Sequence, residues 1–367
     1  MLIPYINLAL QHHNINQKLL TAAEKVLKSG QFILGDEVKK FEENFSKIAG
    51  TKYAVGVDNG TDALILSLKS LGIKNGDEVI TSPNSFLASA SCIALVGAKI
   101  VFADVRDDFN LDPKSVEKTI TKKTKAIIAV HLTGRPSDMD ALLKICKRKK
   151  IYLIEDCAQA VGAKYNRKQV GSFGIIGCFS LHPLKNLSAI GDGGVLTTNN
   201  KKIYQWLVKA RNHGLKNRDE CDFWSMNSRL DNLHAALLNV KLKYLDAWTE
   251  RRRKIASMYY ERFKKLDMIV PHDNSNEKSV YHTFIIQTKY RDELKKFLSE
   301  NEIDTKIHYP IPIHFQKAAK YLGYKKGDFP VTEKQAKTIL SLPVYPELTD
   351  EQVKYIIDKV IEFYSLK

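Results

Sequence analysis

Cysteine is scarce and poorly arranged for bonding. The five residues, Cys92, Cys146, Cys157, Cys178 and Cys221, are odd in number, widely spaced and include no C-x-x-C. That pattern excludes a disulfide framework and reads as a set of reduced, intracellular thiols. Structural zinc is disfavoured as well, because no Cys/His cluster has ligand spacing. Long apolar runs are missing, so no segment reads as a membrane span. The first residues, MLIPYINLALQHH, lack a basic lead and a sustained apolar stretch and do not read as a signal peptide. There is no internal repeat and no low-complexity linker. A soluble, cytoplasmic protein is expected. Acidic residues are in deficit, 41 against 57 Lys and Arg, for a net charge of +16. Such an excess admits nucleic acid, a membrane surface or a phosphorylated ligand as partner. It is scattered along the chain and does not choose among them. With no basic helix and no aromatic-basic interleaving, no nucleic-acid partner is expected.

What is present is ordinary globular material. A hydrophobic share of 44% and a charged share of 27% exclude a disordered or collagen-like chain. The 367 residues suit roughly two to three domains. Residues 16–29 and 36–49 carry apolar side chains at helical spacing, with Gly30 and Gly50 as stops. From 53 the texture changes. Short β-branched runs (53–57, 78–82, 100–105, 126–132, 151–156, then about 177–181 and 194–198) alternate with helical stretches. Such runs indicate strands buried on both faces of a mostly parallel sheet. A long helical pattern covers Leu230 to Leu266. After it come YHTFIIQT, RDELKKFLSEN, TKIHYP and a terminal helix from about Asp350, in strand, helix, strand, helix order. The expected architecture is α/β: an arm over 1–15, a large domain over 16–250 and a smaller α+β domain over 251–367.

Three segments could carry chemistry. Asp58-Asn59-Gly60-Thr61-Asp62 follows a strand and opens a helix. Free N–H groups and the positive dipole end suit a phosphate there. A plain N-cap by Asn59 or Thr61 would look the same, and no Gly-Lys-Ser/Thr follows to make a P-loop. In Ile154-Glu155-Asp156-Cys157 two carboxylates end a buried strand, where open α/β sheets place ligands. A buried carboxylate needs a partner, either a cationic ring nitrogen or one of the many Lys and Arg. In Ser180-Leu181-His182-Pro183-Leu184-Lys185-Asn186, Lys185 stands among apolar and small residues. A lysine removed from water loses proton affinity, and its neutral amine can attack a carbonyl. An anion cradle, a strand-end carboxylate and a sequestered lysine, in that order, fit pyridoxal phosphate.

At this point the sequence resembles the DegT/DnrJ/EryC1/StrS group of pyridoxal-phosphate sugar aminotransferases, of the fold-type-I class. The resemblance runs nearly end to end. Its marks include SGQFILGDEVKKFEENF at 29–45, NGTDAL at 59–64, HLTGRPSDMDAL at 131–142, IEDCAQAVGA at 154–163, SLHPLKNLSAIGDGG at 180–194, NSRLDNLHAA at 227–236 and IHYPIPIH at 307–314. It implies a large domain built on a seven-stranded-type sheet. It implies that Lys185 binds the cofactor and shuttles protons, and that Asp156 pairs with the ring nitrogen. Gln159 would contact the ring hydroxyl and Phe86 would stack on the ring. Gly60, Thr61 and Ser180 would hold the phosphate, and Asn227 would reach it from a partner subunit of a homodimer. His308, Tyr309 and His314 would face the sugar, although Tyr309 also reads as core of a proline-turned strand. The expected reaction takes an amino group from L-glutamate to a nucleotide-linked keto sugar. The I-H-Y-P-x-P-x-H form resembles members that aminate C3 rather than C4. Ser225-Met226, Asn232, His234 and Thr133 depart from the family pattern and put substrate identity in question. Family dehydratases carry His in place of the lysine, so Lys185 speaks against that branch. A non-catalytic regulator would be expected to carry an added binding segment.

Overall fold

The seven β-branched runs form the strands of one sheet, and the amphipathic stretches pack against its two faces. The computed structural model describes residues 2–367; Met1, the start of the expected arm, lies outside them. Three helices come first: α1 (Leu8–His13), α2 (Asn16–Ser29) and α3 (Asp36–Ala49). The bounds of α2 and α3 are those read from the apolar spacing. Strands and helices then alternate: β1 (Tyr53–Val57), α4 (Gly60–Ser70), β2 (Glu78–Thr81), α5 (Ala88–Leu95), β3 (Lys99–Phe102), α6 (Pro113–Thr119), β4 (Thr124–Val130), α7 (Met139–Lys149) and β5 (Tyr152–Asp156). A ribbon of β6 (Lys164–Tyr165) and β7 (Lys168–Gln169) precedes β8 (Ile176–Ser180) and β9 (Gly194–Thr198). The sheet order is β1-β9-β8-β5-β4-β2-β3. Only β9 is reversed, antiparallel to both neighbours; the remaining pairs are parallel. The mostly parallel seven-stranded sheet is thus present.

Alternation along the strands divides the core. Ala126, Ile128 and Val130 of β4 and Ile154 of β5 join one apolar cluster. Ile127, Ala129 and Leu153 join the cluster on the other face. This alternation decides which strand-end side chains face the ligand crevice.

The rest of the chain holds α8 (Lys201–Ala210), α9 (Asn232–Lys241), α10 (Leu245–Phe263), β10 (Glu277–Lys278), β11 (Phe284–Gln287), α11 (Arg291–Glu300), α12 (Pro330–Thr338), β12 (Ile339–Leu342) and α13 (Asp350–Ser365). Two expectations need correction. The helical pattern from Leu230 is not one helix: a 3-10 turn at Leu242–Tyr244 separates α9 from α10. The segment TKIHYP is not a strand. Pro310 and Pro312 have no N–H to donate, and only Lys306 bridges, to Ser341. The partner of β11 is instead β12, in antiparallel register Phe284 to Leu342 through Gln287 to Ile339. The first residues are tied down, since Ile3 bridges Ile303 in parallel and is fully buried in the C-terminal cluster. No described helix is long and apolar enough to cross a membrane.

Candidate active site

Strand alternation separates the two acids at the end of β5. Glu155 turns into the Leu153 face and is fully buried. Its Oε2 accepts from Gly171 N at 2.8 Å, and its Oε1 from Phe173 N and Gly174 N at 2.8 and 2.7 Å. His131 Nε2 lies 3.1 Å from Oε2, while His131 Nδ1 accepts from Ser137 N at 2.9 Å, so Nε2 is the donor to Glu155. Glu155 is a structural anchor for the 171–174 turn. His131, Glu155 and Cys157 bring ligand atoms within 4.8 Å of one another, but these hydrogen bonds already use both nitrogens of His131 and both oxygens of Glu155.

Asp156 takes the opposite side and faces the crevice at the strand ends. Its Oδ2 accepts from Ser89 Oγ at 3.0 Å and its Oδ1 from Ala158 N at 3.1 Å. Burial raises its pKa, opposed by those hydrogen bonds and by the charges of Lys185 and His131. Ser89 is itself held by Ser85 Oγ at 2.7 Å. Lys185 is partly buried in the loop between β8 and β9, and its Nζ makes no hydrogen bond to any described residue. Burial lowers its pKa to about 8, with the Asp156 charge pulling the other way. Gln159 Oε1 accepts from Thr133 N at 2.7 Å, and its Nε2 donates to Tyr309 Oη at 3.3 Å. Tyr309 is pushed up to about 12, by burial first and then by Asp156. The Phe86 ring centre lies 6.0 Å from that of Tyr309. His308 Nδ1 lies 2.9 Å from Ser341 Oγ, and burial with the charge of Lys185 lowers its pKa to about 4.

The anion cradle lies at the start of α4. Asn59 caps the helix by accepting from Asp62 N at 2.8 Å, which leaves the first turn's N–H groups at Gly60 and Thr61 without intrahelical partners. Gly60 is needed for close approach, because a Cβ there would stand 2.7 Å from Ser180 Cβ. Ser180, on the end of β8, thereby meets the helix start, and Ser228 Oγ accepts from Asp58 N at 3.3 Å beside it. These residues fit pyridoxal phosphate. A partly buried amine lacks a partner, a buried carboxylate lacks a cation, and a helix start is stripped of side chain for a phosphate.

The structure therefore brings together Lys185, Asp156, Gln159, Phe86, Tyr309 and His308, with Gly60, Thr61 and Ser180 at the helix start. It does not bring in His314. That residue is 3% exposed, packed 4.0 and 4.8 Å from the rings of Phe315 and Phe329, with Nε2 3.4 Å from Glu333 Oε1. Neither of its ring nitrogens has a hydrogen-bond partner among the described residues. Asn227 is exposed on the segment after α8, bridged to Asn212. Asn232 is buried, accepting from Val38 N at 3.1 Å and donating to Gln31 O at 2.6 Å, so its side chain closes the 31–38 turn. Sequence reasoning missed Ser89, His131 and His282. His282 Nδ1 lies 3.2 Å from Asn186 Oδ1, and its pKa is lowered by burial and by Lys185. Ser85 and Ser89, four positions apart around the start of α5, were a usable signal; nothing local announced His282.

The fold and this cluster define a pyridoxal-phosphate-dependent aminotransferase. A family model described as the DegT/DnrJ/EryC1/StrS aminotransferase family matches residues 13–361, and the chain belongs to that family. A protein of Geobacillus stearothermophilus named pleiotropic regulatory protein is 43% identical over 99% of both chains. The dTDP-3-amino-3,6-dideoxy-alpha-D-galactopyranose transaminase of Aneurinibacillus thermoaerophilus is 41% identical, covering 98% of this chain and 99% of its own. Among solved structures, S. venezuelae DesV in complex with a ketimine intermediate superposes with a TM-score of 0.97 at 37% identity, over 99% of this chain and 98% of that one.

Proposed function

We propose that this chain transfers an amino group from L-glutamate to C3 of a nucleoside-diphosphate-linked keto sugar, as a cytoplasmic homodimer. The observation that carries the reading is Lys185, in the loop after β8, facing Asp156 at the end of β5, with an unpartnered amine at a pKa of about 8. Near pH 7 about a tenth of such an amine is neutral, against roughly one part in 2,500 for an ordinary lysine. Bound there, pyridoxal phosphate supplies an aldehyde for an amine and an electron sink for the adjacent carbon. Lys185 would hold the group through its amine and, with that amine free, would serve as the base and acid that moves a proton. Asp156, held by Ser89 and Ala158 N, would keep the ring nitrogen protonated. The Gly60 and Thr61 N–H groups with the Ser180 hydroxyl would hold the phosphate, Phe86 would cover the ring face, and Gln159 would orient the ring hydroxyl. His308 and Tyr309 would face the sugar. Position 3 follows the similarity to the Aneurinibacillus transaminase and the form of the 307–314 segment.

Two further parts of the reading have support in the fold. Leu184 and Ile190, on the loop that carries Lys185, are about half exposed, as are Phe32 and Ile33, while Trp224 is 94% exposed. Apolar side chains so placed suit burial by a second copy, which would bring in Asn227. The domain boundary near 250 falls within α10, where Leu245 belongs to the core around β8 and β9 and Ile255, Tyr259 and Phe263 to the C-terminal core. A panel of nucleotide-linked 3-keto and 4-keto sugars with glutamate tests the reaction. An aminated 3-keto product is expected, and conversion of the 4-keto sugars alone would overturn the position. Inertness toward every sugar would favour a regulatory role like that in the Geobacillus protein's name.

A further inference from the structure

Lys185 is not the only lysine taken out of water. Lys241, the last residue of α9, is 0% exposed. Its Nζ donates to Ser188 O at 2.8 Å and to Ser188 Oγ at 3.3 Å, and it lies 2.8 Å from His12 Nε2. These three acceptors match the three N–H bonds of an ammonium. No carboxylate lies within ion-pair distance of it among the described residues. A buried cation with no counter-charge is a costly way to tie a helix end, and burial lowers its pKa to about 8. Burial and the Lys241 charge also lower the pKa of His12, which favours the neutral ring able to accept at Nε2.

The acceptors lie on informative elements. Ser188 is three residues past Lys185 in a loop without regular structure, and it is 1% exposed. Its neighbours are also fixed: Asn186 Nδ2 donates to Val280 O at 3.1 Å, Leu187 is fully buried, and Ala189 N donates to Leu181 O at 2.7 Å. His12 belongs to α1, on the same opening stretch whose Ile3 sits in the C-terminal core. One ammonium therefore joins the Lys185 loop, the end of α9 and the N-terminal segment.

We propose that Lys241, with His12 as its acceptor, is a positioning residue that sets the Lys185 loop through Ser188. The inference rests on the role given to Lys185 above. Lys241 would touch neither substrate nor cofactor; it fixes the backbone from which Lys185 reaches the cofactor.

The test uses the full chain with and without cofactor. In the cofactor-free protein, Lys241→Met should speed amide hydrogen exchange at residues 186–190 at least tenfold, with β8 and β9 unchanged. In the loaded protein the same variant should lower kcat tenfold or more, with KM for the sugar within twofold, and should shift the pH at which the visible absorption changes. His12→Leu should do the same to a lesser degree, and His12→Gln, which restores an acceptor, should return most of both effects. Unchanged exchange at 186–190 in Lys241→Met and His12→Leu would overturn the proposal, as would exchange that rises uniformly over the whole chain. If Lys241→Met does not fold, His12→Leu and His12→Gln decide alone by the same readouts. The exchange arm needs no cofactor, so its failure is separable from a failure of the Lys185 assignment, which Lys185→Ala reports.

Discussion

Two lysines of this chain are moved by burial to the same pKa of about 8, yet their surroundings differ in kind. Lys241 has all three of its N–H bonds matched by neutral acceptors. Lys185 has none, and faces a carboxylate that is itself short of a cation. A lowered pKa alone therefore does not mark a reactive amine; the missing partner does. A buried amine whose donors are satisfied is held in place, and one with free donors beside a crevice is available for chemistry.

The comparison breaks most directly at Lys185. Lys185→Ala should reduce amination by about 10³-fold or more, measured as product formed per enzyme. Next comes Asp156→Asn, which removes the charge that would hold the ring nitrogen protonated. A loss of about 10²-fold in kcat is expected, together with a changed visible spectrum of the loaded protein. Gly60→Ala should weaken cofactor binding by about tenfold or more, read by equilibrium titration, because its Cβ would stand 2.7 Å from Ser180 Cβ and crowd the cradle.

The smallest effect treats the two lysines as equals. Each has a folded pKa of about 8 below an unfolded value near 10.4. Between those values the unfolded chain binds more protons, so stability rises with pH through that window. Well below pH 8 both states are protonated, and the cost of burying each charge is then at its greatest. Relative to the wild type, the cofactor-free Lys185→Ala and Lys241→Met variants should each lose part of the rise between pH 8 and 10.5 in chemical denaturation. An unaltered rise would show that the lysines are not desolvated as described.

Much of the fold was legible because β-branched runs and glycine stops report local structure. The seven strands, α2 and α3 came out close to their true bounds. β12 was missed because Ile339–Leu342 follows α12 without a turn signal, while TKIHYP looked more like a strand. Of the site, the lysine, the acid and the cradle could be read because each sits in its own short segment. The division of labour between Glu155 and Asp156 could not, since adjacent strand residues part only when the sheet is built. His12, Ser188 and Lys241 are far apart in the chain, and the packing of His314 against Phe329 joins residues fifteen positions apart.

Reducing the cofactor-loaded protein with borohydride, digesting it and locating the adduct by mass spectrometry shows which amine binds the cofactor. The adduct is predicted on the peptide bearing Lys185 alone, with none formed in Lys185→Ala. An adduct on the Lys241 peptide, or one that persists in Lys185→Ala, would contradict the assignment.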